Sequence, residues 1–328
     1  MKINPTSEMK FRTEISIKPF ARNIGYSSRI FAAGSCFAEN IAERMRQAKF
    51  DVASNPTGIL FNPASIAAAL SRFADGKVYD ESELVEADGK WFSYDAHTSL
   101  DGRTKEEALH NLNEAVTVGH AKLAAADTVM LTFGTAWIYE LDETGRTVAN
   151  CHKRPQSLFT RRRLSIAEIV ETYAPLMKGI LKDKHVIITV SPVRHMADGP
   201  DGNSASKAVL RLAADELAAA YPNVDYFPSF EIMNDDLRDY RFYDEDLVHP
   251  TRQAVEYIWE HFAKAALSDK ARRLLPEAER IVAAARHRPF DPTGEAYREF
   301  CRKTVEAMDS MTEIDFSAER DFLRRFYE

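Results

Sequence analysis

Ala-Ala-Gly-Ser-Cys-Phe-Ala-Glu-Asn at 32–40 places a hydroxyl and a thiol, Ser35 and Cys36, where an apolar run over Arg29–Ala33 turns into a helix. Far down the chain, Asp-Leu-Val-His-Pro-Thr at 246–251 sets a carboxylate, Asp246, three residues ahead of His249. A nucleophile at a strand-to-helix elbow and a late Asp-x-x-His pair are the parts an acyl-transferring enzyme needs. In that chemistry His249 acts as base and then as acid, while Asp246 accepts from its other ring nitrogen and fixes the tautomer. Asp244 and Glu245 are close enough in sequence to compete for the role of Asp246. A thiol at a helix N-terminus beside a histidine is expected to ionise more readily than a free one, which favours Cys36 as the attacking atom. Ser35 stays in the candidate site, because a base can equally withdraw its proton. The plain structural alternative is a capping Ser35, a Cys36 filling a core gap and a loop His249 ahead of a helix.

Such residues need a scaffold that brings them together. Short apolar runs at Arg29–Ala33, Phe50–Ser54, Thr128–Phe133, His185–Val190 and Val224–Phe227 read as buried parallel strands. Helical patterns alternate with them. Asn62-Pro63 gives an N-cap followed by proline at the first helical position, and Ser165-Ile166-Ala167-Glu168 a capping box. Asn203–Tyr221 is an Ala/Leu-rich helix, and Thr251 opens one with Val255, Ile258, Trp259 and Phe262 on one side. The alternation predicts an α/β fold, a three-layer sandwich around a parallel sheet. Asp-Gly pairs at 88–89 and 101–102 suggest a hairpin-like insertion over about 75–103, before a helix from Thr104 to Ala125. Beyond Ser268 come the helical patterns Arg272–His287, Thr293–Met308 and Ser317–Phe326. The expected division is a catalytic domain over 1–267 and a helical extension over 268–328.

Open parallel sheets form their sites beyond the carboxyl ends of the strands. Gly34-Ser35-Cys36, Asn55-Pro56-Thr57-Gly58, Gly134-Thr135-Ala136-Trp137, Ser191-Pro192-Val193-Arg194-His195 and the Asp246–His249 pair each follow a predicted strand, so all fall on one rim. The backbone N–H of the nucleophile is one expected oxyanion donor and Gly58 the second; tight-turn geometry is the alternative reading of Gly58 and Gly134. Arg194, His195 and Lys207 suit a carboxylate or phosphate, with surface charge the plainer reading of Lys207. Arg161-Arg162-Arg163 reads as a solvated run. Trp91, Tyr94 and His97 read as a stacking wall or as simple anchors of the insertion. Cys151 and His152 are adjacent and lack a second Cys/His pair, which argues against a zinc site.

Composition narrows the class. The chain has 328 residues, 45% of them apolar and 28% charged, and its net charge of −7 argues against a dedicated nucleic-acid binder. Three scattered cysteines give no disulfide framework. No run reaches the roughly 18 apolar residues of a membrane span, and Met1–Ile17 carries no apolar core of a secretory signal. The expected location is cytoplasmic.

Gly34-Ser35-Cys36-Phe37-Ala38 resembles the signature of the GSCFA family, a branch of the SGNH/GDSL-like hydrolases. Asn55–Pro63, Gly134–Trp137, Asn150-Cys151-His152-Lys153 and Ser191–Arg194 resemble further segments of that family, and together they span roughly residues 11–265. The resemblance implies a flavodoxin-like α/β/α fold and an esterase-like site. Laid without a gap on the Gly-Asp-Ser-Leu pattern, Cys36 takes the nucleophile position; a shift of one residue gives it to Ser35. The usual third oxyanion donor of SGNH enzymes is the Asn of a Gly-x-Asn string after the third strand. Here that string reads Gly134-Thr135-Ala136, leaving Asn150, His152 or Asn55 to substitute. The expected function is an acyl-ester hydrolase or acyltransferase acting on an acylated carbohydrate-like or other small polar substrate, with no metal or cofactor. The second expectation is an SGNH-fold binding module with a decayed site.

Overall fold

The computed structural model describes residues 12–327, so most of the Met1–Ile17 stretch lies outside the described residues. In chain order the strands are β1 (Arg29–Gly34), β2 (Asp51–Ser54), β3 (Val85–Ala87), β4 (Lys90–Phe92) and β5 (Thr128–Phe133). They continue as β6 (Trp137–Leu141), β7 (Arg146–Val148), β8 (Phe159–Arg163), β9 (His185–Val190) and β10 (Val224–Phe227). The helices begin with α1 (Cys36–Gln47), α2 (Pro63–Asp75), α3 (Lys105–Ala125), α4 (Ile166–Lys178) and α5 (Gly199–Ala220). The rest are α6 (Ser229–Glu231), α7 (Arg252–Ala266), α8 (Asp269–Arg286), α9 (Glu295–Asp309) and α10 (Ser317–Arg324).

Every residue of β5 (Thr-Val-Met-Leu-Thr-Phe) and of β9 (His-Val-Ile-Ile-Thr-Val) is buried, as a parallel sheet covered on both faces requires. The central sheet runs β2-β1-β5-β9-β10 with all neighbours parallel. Counted among themselves, these five strands lie in the order 2-1-3-4-5, the flavodoxin-like arrangement, which reverses direction between β1 and β5. Strand alternation sends side chains to opposite faces. Phe31, Leu131, Phe133 and Ile188 pack with Ile66, Leu70, Leu112, Tyr173 and Leu210 from α2 to α5. Ile30, Ala32, Met130 and Ile187 pack with Phe37, Ile41, Met45, Ile258, Trp259 and Phe262 from α1 and α7. Each such large apolar side chain contributes about 1.5–3 kcal/mol on burial. The result is the three-layer α/β/α sandwich.

The ends of these elements follow their local chemistry. Asn62 caps α2 by accepting the Ser65 N–H at 2.8 Å, and Ser165 with Glu168 forms the capping box of α4. Helix α5 starts at Gly199, ahead of the expected Asn203, because Pro200 fits its first turn, where no intrahelical N–H is needed. Gly34 closes β1 with φ at +141°, and a Cβ there would stand 2.2 Å from the Thr132 carbonyl of β5. Only glycine permits that approach, and it fixes where the chain leaves the sheet.

The insertion does hold a hairpin, β3–β4, turning at Asp88 and Gly89, both at positive φ. Gly102 forms no second hairpin; it bridges back to Trp91. An antiparallel sheet, β7-β6-β8, follows β5 and was not expected. Arg161, Arg162 and Arg163 form the end of its strand β8, where Arg161 and Arg163 are exposed, as a solvated run requires, and Arg162 is half-buried. Arg162 reaches Glu140 and Glu168, and Arg161 pairs with Asp198. Helices α8–α10 gather Ile281, Tyr297, Cys301, Val305, Met308 and Phe316 into a cluster of their own. Lys49–Glu319 at 2.8 Å and Arg44–Glu279 at 2.5 Å fasten them to α1 and the turn beyond it. Among the described residues no helix is long and apolar enough to cross a membrane.

Candidate active site

Ser35 is the residue between β1 and α1, and as N-cap it makes no side-chain capping bond. It is fully buried, and its Oγ has no hydrogen-bond partner. Cys36, half-buried at the first position of α1, lines a cavity of about 630 Å³ at the rim of the sheet. His249 lines the same cavity, as do Arg194, His195 and Asn150; Ser35 does not. The elbow therefore turns the thiol, and not the hydroxyl, toward open space.

His249 Nδ1 lies 2.6 Å from Asp246 Oδ2, while Oδ1 accepts the N–H of Val248 (2.8 Å) and of His249 (3.0 Å). The side-chain bond to His249, followed by these backbone donors, pulls the Asp246 carboxyl down to about 2. An ionised carboxylate on Nδ1 assigns the ring proton there and leaves Nε2 as the basic nitrogen. Neither Asp244 nor Glu245 makes this contact. The loop passes through Leu247 at φ +57°, a left-handed conformation that costs a leucine about 1 kcal/mol or more. Arg194 holds it there: Nη1 donates to the Leu247 carbonyl at 3.1 Å and the Arg194 N–H to the Val248 carbonyl at 3.2 Å.

Burial pushes the Cys36 thiol above its ordinary value; the backbone N–H groups of Phe37 and Cys36 and the charge of Lys207 oppose this without reversing it. The expectation of a readily ionised thiol is thereby corrected. Desolvation outweighs the helix N-terminus, so Cys36 needs a base just as a serine would.

The expected donors sort differently from the sequence reading. Gly58 N–H donates to the Asn55 carbonyl, its turn packs on His97, and it does not reach the cavity. Asn55 is spent inside the fold, its Oδ1 accepting the Gly34 N–H at 2.9 Å and its Nδ2 donating to Glu39. Gly134 and Thr135 both donate their N–H to the Phe61 carbonyl. His152 is buried, stacked on Phe92 at 4.1 Å with Nε2 donating to the Ser93 carbonyl, and is an anchor of the insertion. Asn150 lines the cavity, and its Oδ1 accepts the His152 N–H at 2.8 Å. Asn62, read from sequence only as a cap, also lines the cavity. Its Oδ1 accepts the Ser65 N–H, which fixes the orientation of the amide. The Asn62-Pro63 signal reads as a helix cap, and its place shortly after the second strand is the trace that could have put Asn62 on this rim. Trp91, Tyr94 and His97 do not line the cavity; Trp137, Tyr139 and Phe159 of the unexpected sheet do, with Arg161 lying over Trp137 at 4.3 Å.

Beneath the site, Lys207 of α5 is fully buried, contrary to a surface role. Its Nζ donates to the Gly134 and Ser191 carbonyls, both at 2.7 Å, and so ties the loops after β5 and β9 together. Burial lowers its ammonium to about 7. His195 is lowered to about 4 by burial first, then by the charges of Lys207 and His249. Its Nε2 is buried without a partner and lies 3.2 Å from where a Cβ on Gly134 would stand; Ser35 Cβ is 3.3 Å from the same point.

A doubly wound parallel sheet, with a thiol and a carboxylate-bound imidazole lining one cleft at its reversal point, defines a flavodoxin-like α/β protein with a rim site. The model of the GSCFA family matches residues 29–262, and the chain belongs to the GSCFA family. A second model, GSCFA domain protein, C-terminal domain, matches residues 278–328. No curated protein matches the chain.

Proposed function

We propose that this GSCFA-family protein is an SGNH-type acyl-ester hydrolase or acyltransferase with Cys36 as nucleophile, His249 as base and acid, and Asp246 as the group that orients it. The observation that carries the reading is that Cys36 and the Asp246-bound His249 line one cavity of about 630 Å³, a size suited to a small ligand. His249 Nε2 takes the thiol proton as Sγ bonds to the acyl carbon and the carbonyl π pair moves onto oxygen. The oxyanion collapses, the ester C–O bond breaks, and the leaving alkoxide takes the proton from His249. Water then yields a hydrolase, or a second alcohol a transferase. Trp137, Tyr139 and Phe159 supply flat apolar walls, while Asn62, Asn150 and Arg194 supply polar groups, a mixture that fits an acylated carbohydrate-like or other small polar substrate.

The second reading, a binding module, draws on the loop after β5, whose Gly134 and Thr135 N–H groups are both occupied by Phe61. Hydrolysis of 4-nitrophenyl acetate separates the two. Wild type should turn over, His249→Ala should lose about 10²–10⁴-fold, and Cys36→Ala should be inactive while Ser35→Ala keeps turnover. Equal rates in wild type and His249→Ala would refute the enzyme. Loss in Ser35→Ala alone would transfer the nucleophile to the hydroxyl.

A further inference from the structure

Lys207 has no acidic side chain within ion-pair distance among the described residues: its Nζ is held by two backbone carbonyls and the face of Phe230 at 5.8 Å. A fully buried cation with no counter-charge is costly to fold. Such a group calls for an anion that appears only during function. The candidates around it are few. Gly134, whose carbonyl holds Nζ, packs on Ser35 and His195. Cys36 is the residue after Ser35, its thiol becomes an anion on deprotonation, and the charge of Lys207 opposes the rise that burial gives that thiol. His195 and His249 add no negative charge, and Asp246 is engaged with His249.

We propose that Lys207 is the buried counter-ion of the Cys36 thiolate, a positioning residue that touches neither the acyl group nor sulfur. The inference rests on Cys36 being the attacking atom. Nζ has three outward positions, two of which hold hydrogens directed at Gly134 and Ser191. Only the third changes with its charge, so Lys207 can carry the positive charge that faces a thiolate without disturbing either carbonyl bond, while the thiol proton goes to His249. Ser35, neutral and enclosed, has no use for this charge.

The test reads thiol ionisation directly, independent of any ester substrate. The rate of Cys36 alkylation by iodoacetamide is followed against pH in wild type, Lys207→Met, Lys207→Gln and Lys207→Arg, with Cys36→Ala correcting for Cys151 and Cys301. Removing the charge should move the midpoint upward and slow alkylation at pH 6, where the ammonium is charged, about tenfold, equivalent to one pH unit. Arg keeps the charge and should restore the midpoint. An unchanged midpoint in folded Lys207→Met or Lys207→Gln overturns the proposal. If both fail to fold, the arginine variant decides: a midpoint at or below wild type supports it, and one raised as far as a free buried thiol overturns it. Inactivity toward esters with the midpoint shift present would sink the acyl-transfer reading and leave the counter-ion standing.

Discussion

Lys207 also makes a prediction about stability that can be worked through from its surroundings. Its folded value is lowered from 10.5 to about 7, chiefly by burial. Between those values the unfolded chain holds a proton that the folded chain has released, so stability must rise with pH across that window. The penalty is fully present below about pH 7 and fades toward pH 10.5. At about 1.4 kcal/mol per pH unit, the wild type should gain roughly 4 kcal/mol from this group between pH 6 and pH 10. Lys207→Met has no such dependence. It leaves the Gly134 and Ser191 carbonyls unpaired at a cost of about 1–3 kcal/mol each, the same at every pH. The stability difference, wild type minus variant, should therefore climb by roughly 4 kcal/mol from pH 6 to pH 10. Urea unfolding of both proteins at a series of pH values, in a Cys36→Ser background to remove the thiol, measures it. A difference flat to within about 1 kcal/mol would refute the claim that this ammonium is buried without a compensating charge.

Two further outcomes follow from the packing of the rim. Gly134→Ala brings a Cβ to 2.9 Å from the Phe61 carbonyl and 3.2 Å from His195 Nε2; thermal or urea unfolding should show a loss of about 1–3 kcal/mol, with ester turnover reduced at least tenfold, and a wild-type-like variant would contradict the close packing. Asp246→Asn should lower kcat about 10²–10⁴-fold by losing the tautomer, while the wild-type rate shows no acid limb from this carboxyl above about pH 3, since it titrates near 2; a variant with wild-type kcat would remove Asp246 from the mechanism.

The strands were legible because a parallel sheet buries both faces of a short run. Thr128–Phe133, His185–Val190 and Val224–Phe227 are bounded in the fold as in the sequence. The caps at Asn62, Ser165 and Thr251 were legible because each side chain accepts a specific backbone N–H. The sheet β6–β8 was hidden by its composition: β8 reads Phe-Thr-Arg-Arg-Arg, and its arginines find acids and a tryptophan ring that only the fold supplies. Lys207 left a trace that charge obscured. It shares the stripe of Leu210, Ala214 and Leu217 along α5, a spacing that pointed inward. The roles expected of Gly58 and Asn55 depended on where single N–H and amide groups point, and both are spent on neighbours that spacing does not reveal.

The order Gly-Ser-Cys at the elbow has a physical reading in which each residue does one task. Gly34 lets β1 press against the Thr132 carbonyl, and its N–H is fixed by Asn55. That contact leaves no slack with which the next residue could swing outward. Ser35 is therefore wedged, its N–H on the Thr132 carbonyl at 3.1 Å and its Cβ against Gly134, where it is enclosed on every side. Bringing its hydroxyl into the cavity would require the loop after β5 to withdraw, and Lys207 ties that loop to the one after β9. Cys36 is the first position at which α1 can aim a side chain along the rim, and there the longer C–S bond and larger sulfur extend toward the cavity shared with His249. The cost of this placement is a thiol that burial holds protonated, which the Asp246–His249 pair on one side and the Lys207 ammonium beneath it are arranged to offset.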